Sequence, residues 1–311
     1  MHLQQPVLQV IRGFVMGAAD IVPGVSGGTV ALVLGIYERL VAAIRAGAGV
    51  LGALARRDLA GARNQLRGIP WVWLLSLLAG ILLAVALLSA ALERVLEEHP
   101  QAAAGLFFGL IVGAIVISWR LVRRRTWRTA AVAAVAAALL FVLVGLQSGT
   151  GDHGAEAVTR PAWMFFAAGA VAICAMILPG ISGSFILVLL GMYAEVLGAV
   201  NERDLLVLGL FVLGAAVGLA SFSTLLSWLL LHHHDVVLAA LIGLMVGSLR
   251  ILWPWPGGLE TTELALPAGG APVLVPVALA AGGLLLVVLI DAAGTRLGHR
   301  RALSPSTQEE L

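Results

Sequence analysis

The sequence contains no lysine and few charged residues of any kind, and this scarcity indicates the class of protein. Charged residues occupy 12% of the 311 positions, against about 25% in soluble domains. Hydrophobic residues occupy 60%, and all 19 basic residues are arginines. The arginines form short clusters between apolar runs instead of one continuous basic face. The composition therefore predicts an integral membrane protein whose partner is the lipid bilayer, and it argues against nucleic-acid binding.

Cysteine is scarce too, and histidine is missing from the apolar runs. Cys174 is the single cysteine, so the chain forms no internal disulfide. The seven histidines fall in expected loops or near the termini: His2, His99, His153, His232, His233, His234 and His299. Without a histidine base inside the membrane, a catalytic triad cannot assemble there, so we predict no enzyme, no metal site and no cofactor. Arg12 interrupts the first apolar run, so no cleavable signal peptide is expected.

Long uncharged runs predict the membrane-spanning helices. A span needs about 20 apolar residues, and five runs qualify: 71–92, 102–119, 129–151, 205–231 and 264–290. A shorter run, 236–249, continues past Arg250. Two other regions, 6–44 and 161–200, each carry Pro-Gly near the middle, which predicts a pair of helical arms. Their length is compatible with two full spans or with a re-entrant hairpin.

The placement of arginine predicts the orientation. Counting crossings puts three basic clusters on one side: 45–67, 120–128 and 296–301. Short loops rich in arginine face the cytoplasm, and the loops on the opposite side are rich in Asp and Glu. Both termini and the segment 232–235 are therefore expected to be cytoplasmic.

An eight-residue motif occurs twice. The first motif, residues 22–29, is VPGVSGGT, and the second motif, residues 178–185, is LPGISGSF. GLIVG at 109–113 is echoed by GLMVG at 243–247. The motifs are 156 residues apart and the later pair 134 apart, because the first half has an additional basic loop around Arg56. The sequence thus predicts two halves, 1–150 and 155–295, followed by a cytoplasmic tail at 296–311.

The number of segments in each half predicts their relative orientation. Each half has a two-armed motif region, which returns the chain to its starting side, followed by three spans, which do not. The second half therefore runs inverted relative to the first. The predicted fold is an all-α membrane protein with an inverted-topology repeat, in which each half contains a broken or re-entrant helix pair and three transmembrane helices. Secondary transporters have this architecture.

The repeated motif has the chemistry of an anion site. Pro-Gly interrupts a helix, and the serine that follows can cap the next one. Glycines let a ligand approach backbone N–H groups, and a helix N-terminus carries about half a positive charge. Two facing helix ends are expected to bind one anion through the following residues: Ser26, Gly27, Gly28, Thr29, Ser182, Gly183 and Ser184. The structural alternative is that small residues merely permit tight helix packing.

Charged residues inside apolar regions are candidates for further roles because their burial is costly. Asp20 precedes the first motif and can accept a proton or balance an arginine, whereas Met176 occupies the matching position of the second half. Glu38 and Glu195 are the other coupling candidates, although Glu38 is also placed to pair with Arg39. Arg12 and Arg250 are candidate phosphate ligands. The alternatives are that Arg12 extends to the interface and that Arg250 lies in an interfacial aromatic belt.

Three segments resemble the polyprenyl-phosphate transporter family: MGAADIVPGVSGGTVALVLGIYERL at 16–40, LPGISGSFILVLLGMYAEVL at 178–197 and GLMVGSLRILWPWP at 243–256. The resemblance covers nearly the whole chain. It implies a multi-pass protein of the bacterial cytoplasmic membrane that returns undecaprenyl phosphate from the outer to the inner leaflet for cell-wall synthesis. The matching signature positions are Asp20, Pro23, Gly24, Ser26, Gly27, Gly28, Pro179, Gly180, Ser182, Gly183, Ser184 and Arg250.

The expected function is therefore transport of a polyprenyl phosphate lipid by alternating access around a central phosphate site. Proton coupling is a secondary expectation that depends on Asp20 and Glu195. A transporter of a small soluble anion has the same architecture and remains the alternative, and an enzyme acting on the same lipid is a third hypothesis.

Overall fold

A computed structural model describes residues 4–22, 26–147 and 160–302. These residues contain helices and no strands. The first part of the chain forms seven α-helices: α1 (Gln4–Asp20), α2 (Gly27–Val33), α3 (Tyr37–Ala55), α4 (Leu59–Gly68), α5 (Trp71–Glu98), α6 (Pro100–Leu121) and α7 (Trp127–Gln147). The second part forms α8 (Ala162–Ile177), α9 (Gly183–Leu189), α10 (Tyr193–Glu202), α11 (Leu205–His232), α12 (His234–Ser248), a short 3₁₀ helix (Gly258–Glu260) and α13 (Leu274–Ala302).

Five of the described helices, α5, α6, α7, α11 and α13, are long and apolar enough to cross a membrane. A sixth span results if α9 and α10, which are bent by 111° at the break between them, count as one. Leucines and valines are widely exposed on α5, α7, α11 and α13, as expected where helices contact lipid. The fold is therefore that of a multi-pass membrane protein.

Both bounds of α13 differ from the expectation. The predicted span 264–290 begins only at Leu274, and residues 261–273 form an irregular segment that folds back over the end of α12. Trp253 Nε1 donates a hydrogen bond of 2.9 Å to the Ala265 carbonyl, and hydropathy alone could not show this tertiary contact. At the other end, α13 continues to Ala302, past the predicted start of the tail at 296.

Glycines bring the helices together in four pairs, α1 with α5, α8 with α11, α6 with α13, and α7 with α12. In each pair the glycine contacts advance in the same chain direction along both helices, so the pairs are parallel. A Cβ atom on Gly13 would collide with the Leu77 carbonyl, and one on Gly169 with the Phe211 carbonyl. Gly109 approaches Ala280 and Gly243 approaches Ala133 in the same manner. Small residues that permit such close backbone contact are typical of helix interfaces in membranes.

Replacing one of these contact glycines is expected to destabilise the fold. The Cβ of Gly243→Ala has no room beside the Ala133 carbonyl, so the α7–α12 pair must separate, at a cost of about 1–3 kcal/mol. Gly209→Ala in α11 is the matched control, because its Cβ meets nothing within 4 Å. Thermal unfolding in detergent should show a lower midpoint for Gly243→Ala alone. Equal midpoints for the two variants would contradict this packing.

The main core lies around α12. Buried side chains of α12 pack with α2, α3, α6 and α11, and the largest of them are Leu238, Leu241, Ile242 and Met245. At the start of α12, Asp235 accepts hydrogen bonds from the backbone N–H groups of Arg123 and Arg124, at 2.9 and 3.0 Å. The loop between α6 and α7 and the start of α12 therefore share one end of the molecule, which we call the basic end.

Candidate functional site

The first break is the interruption between α1 and α2, residues 21–26, of which the structure describes 21, 22 and 26. Pro23 and Gly24 lie outside the described residues. Ser26 caps α2, as predicted, because its Oγ accepts a hydrogen bond of 3.1 Å from the Gly28 N–H. The carboxylate of Asp20 accepts a hydrogen bond from the Gly27 N–H. The N-terminus of α2 is thus already satisfied by a hydroxyl and by an internal carboxylate.

The second break, residues 178–182 between α8 and α9, is built differently. Ser182 makes no capping hydrogen bond, so the predicted serine cap of α9 is wrong. Its Oγ lies 2.7 Å from Ser184 Oγ instead. Gly180 has a φ of +85°, which favours glycine. Met176, the counterpart of Asp20, lies against Gly183 with its thioether. The second helix end therefore has no internal carboxylate.

The two breaks lie next to each other. A Cβ on Gly28 would lie 3.1 Å from the Ile177 carbonyl oxygen and 3.6 Å from the Pro179 nitrogen. The Tyr37 hydroxyl, at the start of α3, donates a hydrogen bond of 3.0 Å to the same Ile177 carbonyl. Residues 140 to 151 positions apart in the sequence thus meet where α1 and α8 are interrupted. One side of this junction is formed by Ser26, Gly27 and Gly28. On the other side, the second break continues directly into the segment from Ser182 to Ser184.

Thr29 lies in the first turn of α2, just after the first break, and lines an apolar cavity. Its side chain is 2% exposed, and Oγ1 has no hydrogen-bond partner among the described residues. It lines a cavity of about 360 Å³ whose other walls come from α1, α5, α6 and α13, including Val15, Phe107, Leu110 and Val287. A buried hydroxyl without a partner costs roughly 1–3 kcal/mol. The position is therefore suited to a polar ligand group at the edge of an apolar space.

In the second half, a side chain occupies the place that corresponds to the cavity at Thr29. Phe185 matches Thr29 when the two motifs are aligned. Phe185 packs beside Leu140, Val144 and Leu244 in a small core cluster, and Leu244 is the counterpart of Leu110 in the repeated GLIVG and GLMVG segments. The two halves thus differ at one matched position, which borders an open cavity in the first half and carries a packed ring in the second.

Arg250 lies just after α12 in a cavity of about 370 Å³. Its guanidinium is 4.7 Å from the centre of the Phe141 ring, and Nε donates a hydrogen bond of 3.2 Å to the Thr262 carbonyl. Its charge is paired with no carboxylate among the described residues. Trp253 and Phe108 also line this cavity, so Arg250 lies beside aromatic rings, and the place of these rings at the membrane interface stays a prediction. A half-buried arginine without a counterion is a candidate ligand for an anion.

Arg12 and the three coupling candidates have distinct environments. Arg12 Nη1 donates a hydrogen bond of 3.4 Å to the Gln9 side chain. Glu195 Oε1 accepts one of 2.8 Å from Arg160 Nε. Glu38 Oε1 lies 2.9 Å from His234 Nε2. Among the described residues, Asp20 therefore differs from Glu38 and Glu195 in having no basic partner, because a backbone N–H satisfies it.

The expected pair of Glu38 with Arg39 is wrong. Residues adjacent in a helix point about 100° apart, and neighbours in sequence do not face each other across a helix. Glu38 turns towards His234 at the start of α12, whereas the Arg39 guanidinium lies 4.7 Å from the centre of the Trp73 ring on α5.

Known proteins of similar sequence identify the family of this chain. The family described as VCA0040-like, undecaprenyl phosphate translocase-like, matches residues 16–266. The chain belongs to this family. A polyprenyl-phosphate transporter of Vibrio cholerae is 41% identical over 266 residues, covering 85% of this chain and 82% of that protein. One of Staphylococcus aureus is 32% identical over 265 residues, covering 82% and 87%. No solved structure matches the chain.

The match confirms the resemblance found in the sequence and includes both breaks and Arg250. Membership in the translocase-like family did not by itself indicate the cavity at Thr29 or the surroundings of Arg39. The signal for the first was available in the sequence, since Thr29 and Phe185 are the most dissimilar pair in two closely similar motifs. The surroundings of Arg39 left no such signal, because they depend on how α1, α3 and α5 pack.

Proposed function

We propose that this protein carries a polyprenyl phosphate, with undecaprenyl phosphate as the physiological lipid, from the outer to the inner leaflet of the bacterial cytoplasmic membrane. Named relatives that are polyprenyl-phosphate transporters support the substrate class. The adjacent breaks support a central phosphate site, and the basic end is assigned to the cytoplasm because arginine-rich loops stay inside.

We also propose that the two halves form an inverted repeat that permits alternating access. The parallel pairs support this topology. The start of α12 lies at the basic end, so α11 runs towards that end and α8, parallel to it, begins at the opposite one. α6 also runs towards the basic end, so α5 and its parallel partner α1 begin there. Helices α1 and α8 thus enter from opposite ends and are interrupted where they meet.

The phosphate is proposed to lie at the junction of the breaks, with Ser26, Gly27, Gly28 and Thr29 on one side. The segment from Ser182 to Ser184 contributes on the other side, and Arg12 and Arg250 supply positive charge along the path. A phosphate monoester carries about −1.5 to −2 charges at neutral pH. Helix N-termini and arginines are the groups that stabilise such an anion.

Asp20 gives this site a simple means of proton coupling. Its carboxylate already binds the Gly27 N–H, so an incoming phosphate competes with it for the same donor. Protonation of Asp20 removes the repulsion between the two anions and frees the N–H group. One proton is therefore proposed to bind with each phosphate. Glu38 and Glu195 are not assigned to coupling, because they contact His234 and Arg160 instead.

One observation favours a lipid over a soluble anion, namely the apolar cavity that begins at Thr29. Its walls are almost entirely aliphatic or aromatic, which is unsuited to a hydrated ion but suited to hydrocarbon. A headgroup at the breaks would place its first isoprene units in this cavity, and the rest of the chain would remain in the bilayer.

Transport by purified protein in liposomes tests the function. We expect a fluorescent polyprenyl phosphate to exchange between leaflets, inorganic phosphate to compete poorly, and Arg250→Gln to slow exchange at least tenfold. Arg128→Gln is the matched control, because Arg128 also lies beside an aromatic ring, that of Trp127, but at the basic end. Release of phosphate from the lipid would indicate an enzyme, and equal competition by inorganic phosphate would indicate the soluble-anion transporter.

A further inference from the structure

A separate pocket of about 470 Å³ lies where α1, α3 and α5 begin. Gln9 from α1, Arg39 from α3, and Trp71 and Trp73 from α5 contribute to its walls. Because α1 and α5 start at the basic end in the proposed topology, the pocket opens at the proposed cytoplasmic face. It is distinct from the breaks, which lie at the opposite end of α1.

The polar groups of this pocket are mainly hydrogen-bond donors. Arg39 is exposed, its guanidinium stacks 4.7 Å from the Trp73 ring centre, and it forms no ion pair among the residues that the structure describes. The Trp73 side chain is 6% exposed, and its Nε1–H has no hydrogen-bond partner there. Gln9, 7% exposed, accepts a hydrogen bond from Arg12 through its Oε1, and the Nε2 group of its amide is a further donor. A buried donor without an acceptor is unfavourable, and an anion would relieve that cost.

The charges around the pocket support the same conclusion. Arg12 bonds to Gln9, which lines the pocket together with Arg39, so a second positive charge lies near the pocket. Glu38 is turned away and held by His234. The position that matches Arg39 in the second half is Glu195, and it is paired with Arg160. Of the two matched charged residues, Arg39 is thus the one without an oppositely charged partner in the described part of the chain.

We propose that the Gln9–Arg39–Trp73 pocket is a second binding site for the phosphate monoester of the lipid, occupied at the cytoplasmic face before release. This inference rests on the proposed function, since it takes the same substrate. Arginine and an indole N–H can bind two phosphate oxygens together, and the interfacial tryptophans suit a headgroup whose chain stays in the membrane.

Native mass spectrometry with a short-chain polyprenyl phosphate tests the proposal by counting bound lipids. We expect two on the unmodified protein and one on Arg39→Gln, with binding at this site weakened at least tenfold. Trp73→Phe keeps the ring but removes the Nε1–H donor, so it should weaken the site about threefold to tenfold. Arg63→Gln, an exposed arginine of α4, is the control and should still bind two.

The other outcomes separate this site from the proposed function. Two lipids on Arg39→Gln would overturn the second site while leaving transport intact. Phosphatidylglycerol or inorganic phosphate could also bind as tightly as the monoester, with Arg39→Gln losing that binding equally. This result would overturn the assignment to the substrate headgroup. A third outcome is that Arg39→Gln binds one monoester fewer, although the unmodified protein moves no polyprenyl phosphate between leaflets. That outcome would support the site and overturn the transport function.

Discussion

Thr29→Phe is expected to reduce transport of a long-chain polyprenyl phosphate by at least tenfold. The phenyl ring would occupy the cavity at the first break, as Phe185 occupies the matching place in the second half. Filling an existing apolar space need not destabilise the fold, so the thermal unfolding midpoint should stay within a few degrees of the unmodified protein. A lower transport rate with an intact fold would then result from exclusion of the hydrocarbon.

Two companion variants separate the hydroxyl of Thr29 from the space beside it. Thr29→Ser keeps the hydroxyl and enlarges the cavity, and we expect near-normal transport. Thr29→Val keeps the shape and removes the unpaired Oγ1, so it should weaken phosphate binding by about threefold to tenfold, the value of one hydrogen bond. The measurement is leaflet exchange of lipids with short and long chains. Transport by Thr29→Phe at the normal rate with the long chain would show that the cavity holds no part of the substrate.

Asp20→Asn is expected to tighten phosphate binding by about tenfold and to abolish the dependence of transport on a proton gradient. Asparagine retains an oxygen that accepts from the Gly27 N–H, but it carries no charge to repel the phosphate. A neutral acceptor holds that N–H less strongly than a carboxylate does, so the phosphate displaces it more easily. Without a titratable group, substrate binding no longer takes up a proton.

The sign of the pH effect follows from the same competition. In the unmodified protein, lower pH protonates Asp20 and should strengthen phosphate binding, whereas in Asp20→Asn binding should lose this added dependence and follow only the ionisation of the phosphate itself. Glu38→Gln is the control, because Glu38 is held by His234 away from the breaks, and it should keep the gradient dependence. Binding curves at several pH values and liposome transport with and without a gradient provide the measurements. Gradient-dependent transport by Asp20→Asn would eliminate Asp20 as the coupling group.

Composition, run length and the repeated motif were enough to predict a multi-pass α-helical membrane protein and its family. These features depend on local free energies. Twenty consecutive apolar residues favour the bilayer whatever surrounds them, and the Ser26 cap involves an N–H group two residues away. The cap of α2 and the long helices other than α13 are therefore found where the sequence predicted them.

The partners of the charged and polar side chains were decided only by the tertiary structure. Glu38 bonds to His234, 196 residues away, and not to its neighbour Arg39. Ser182 bonds to Ser184 instead of capping α9, and an irregular segment packs over Arg250 in place of the first turns of α13. Such contacts depend on which helix faces meet, because a side chain selects among groups within a few ångströms in space. A sequence pattern reports the character of each face, and packing determines what that face contacts.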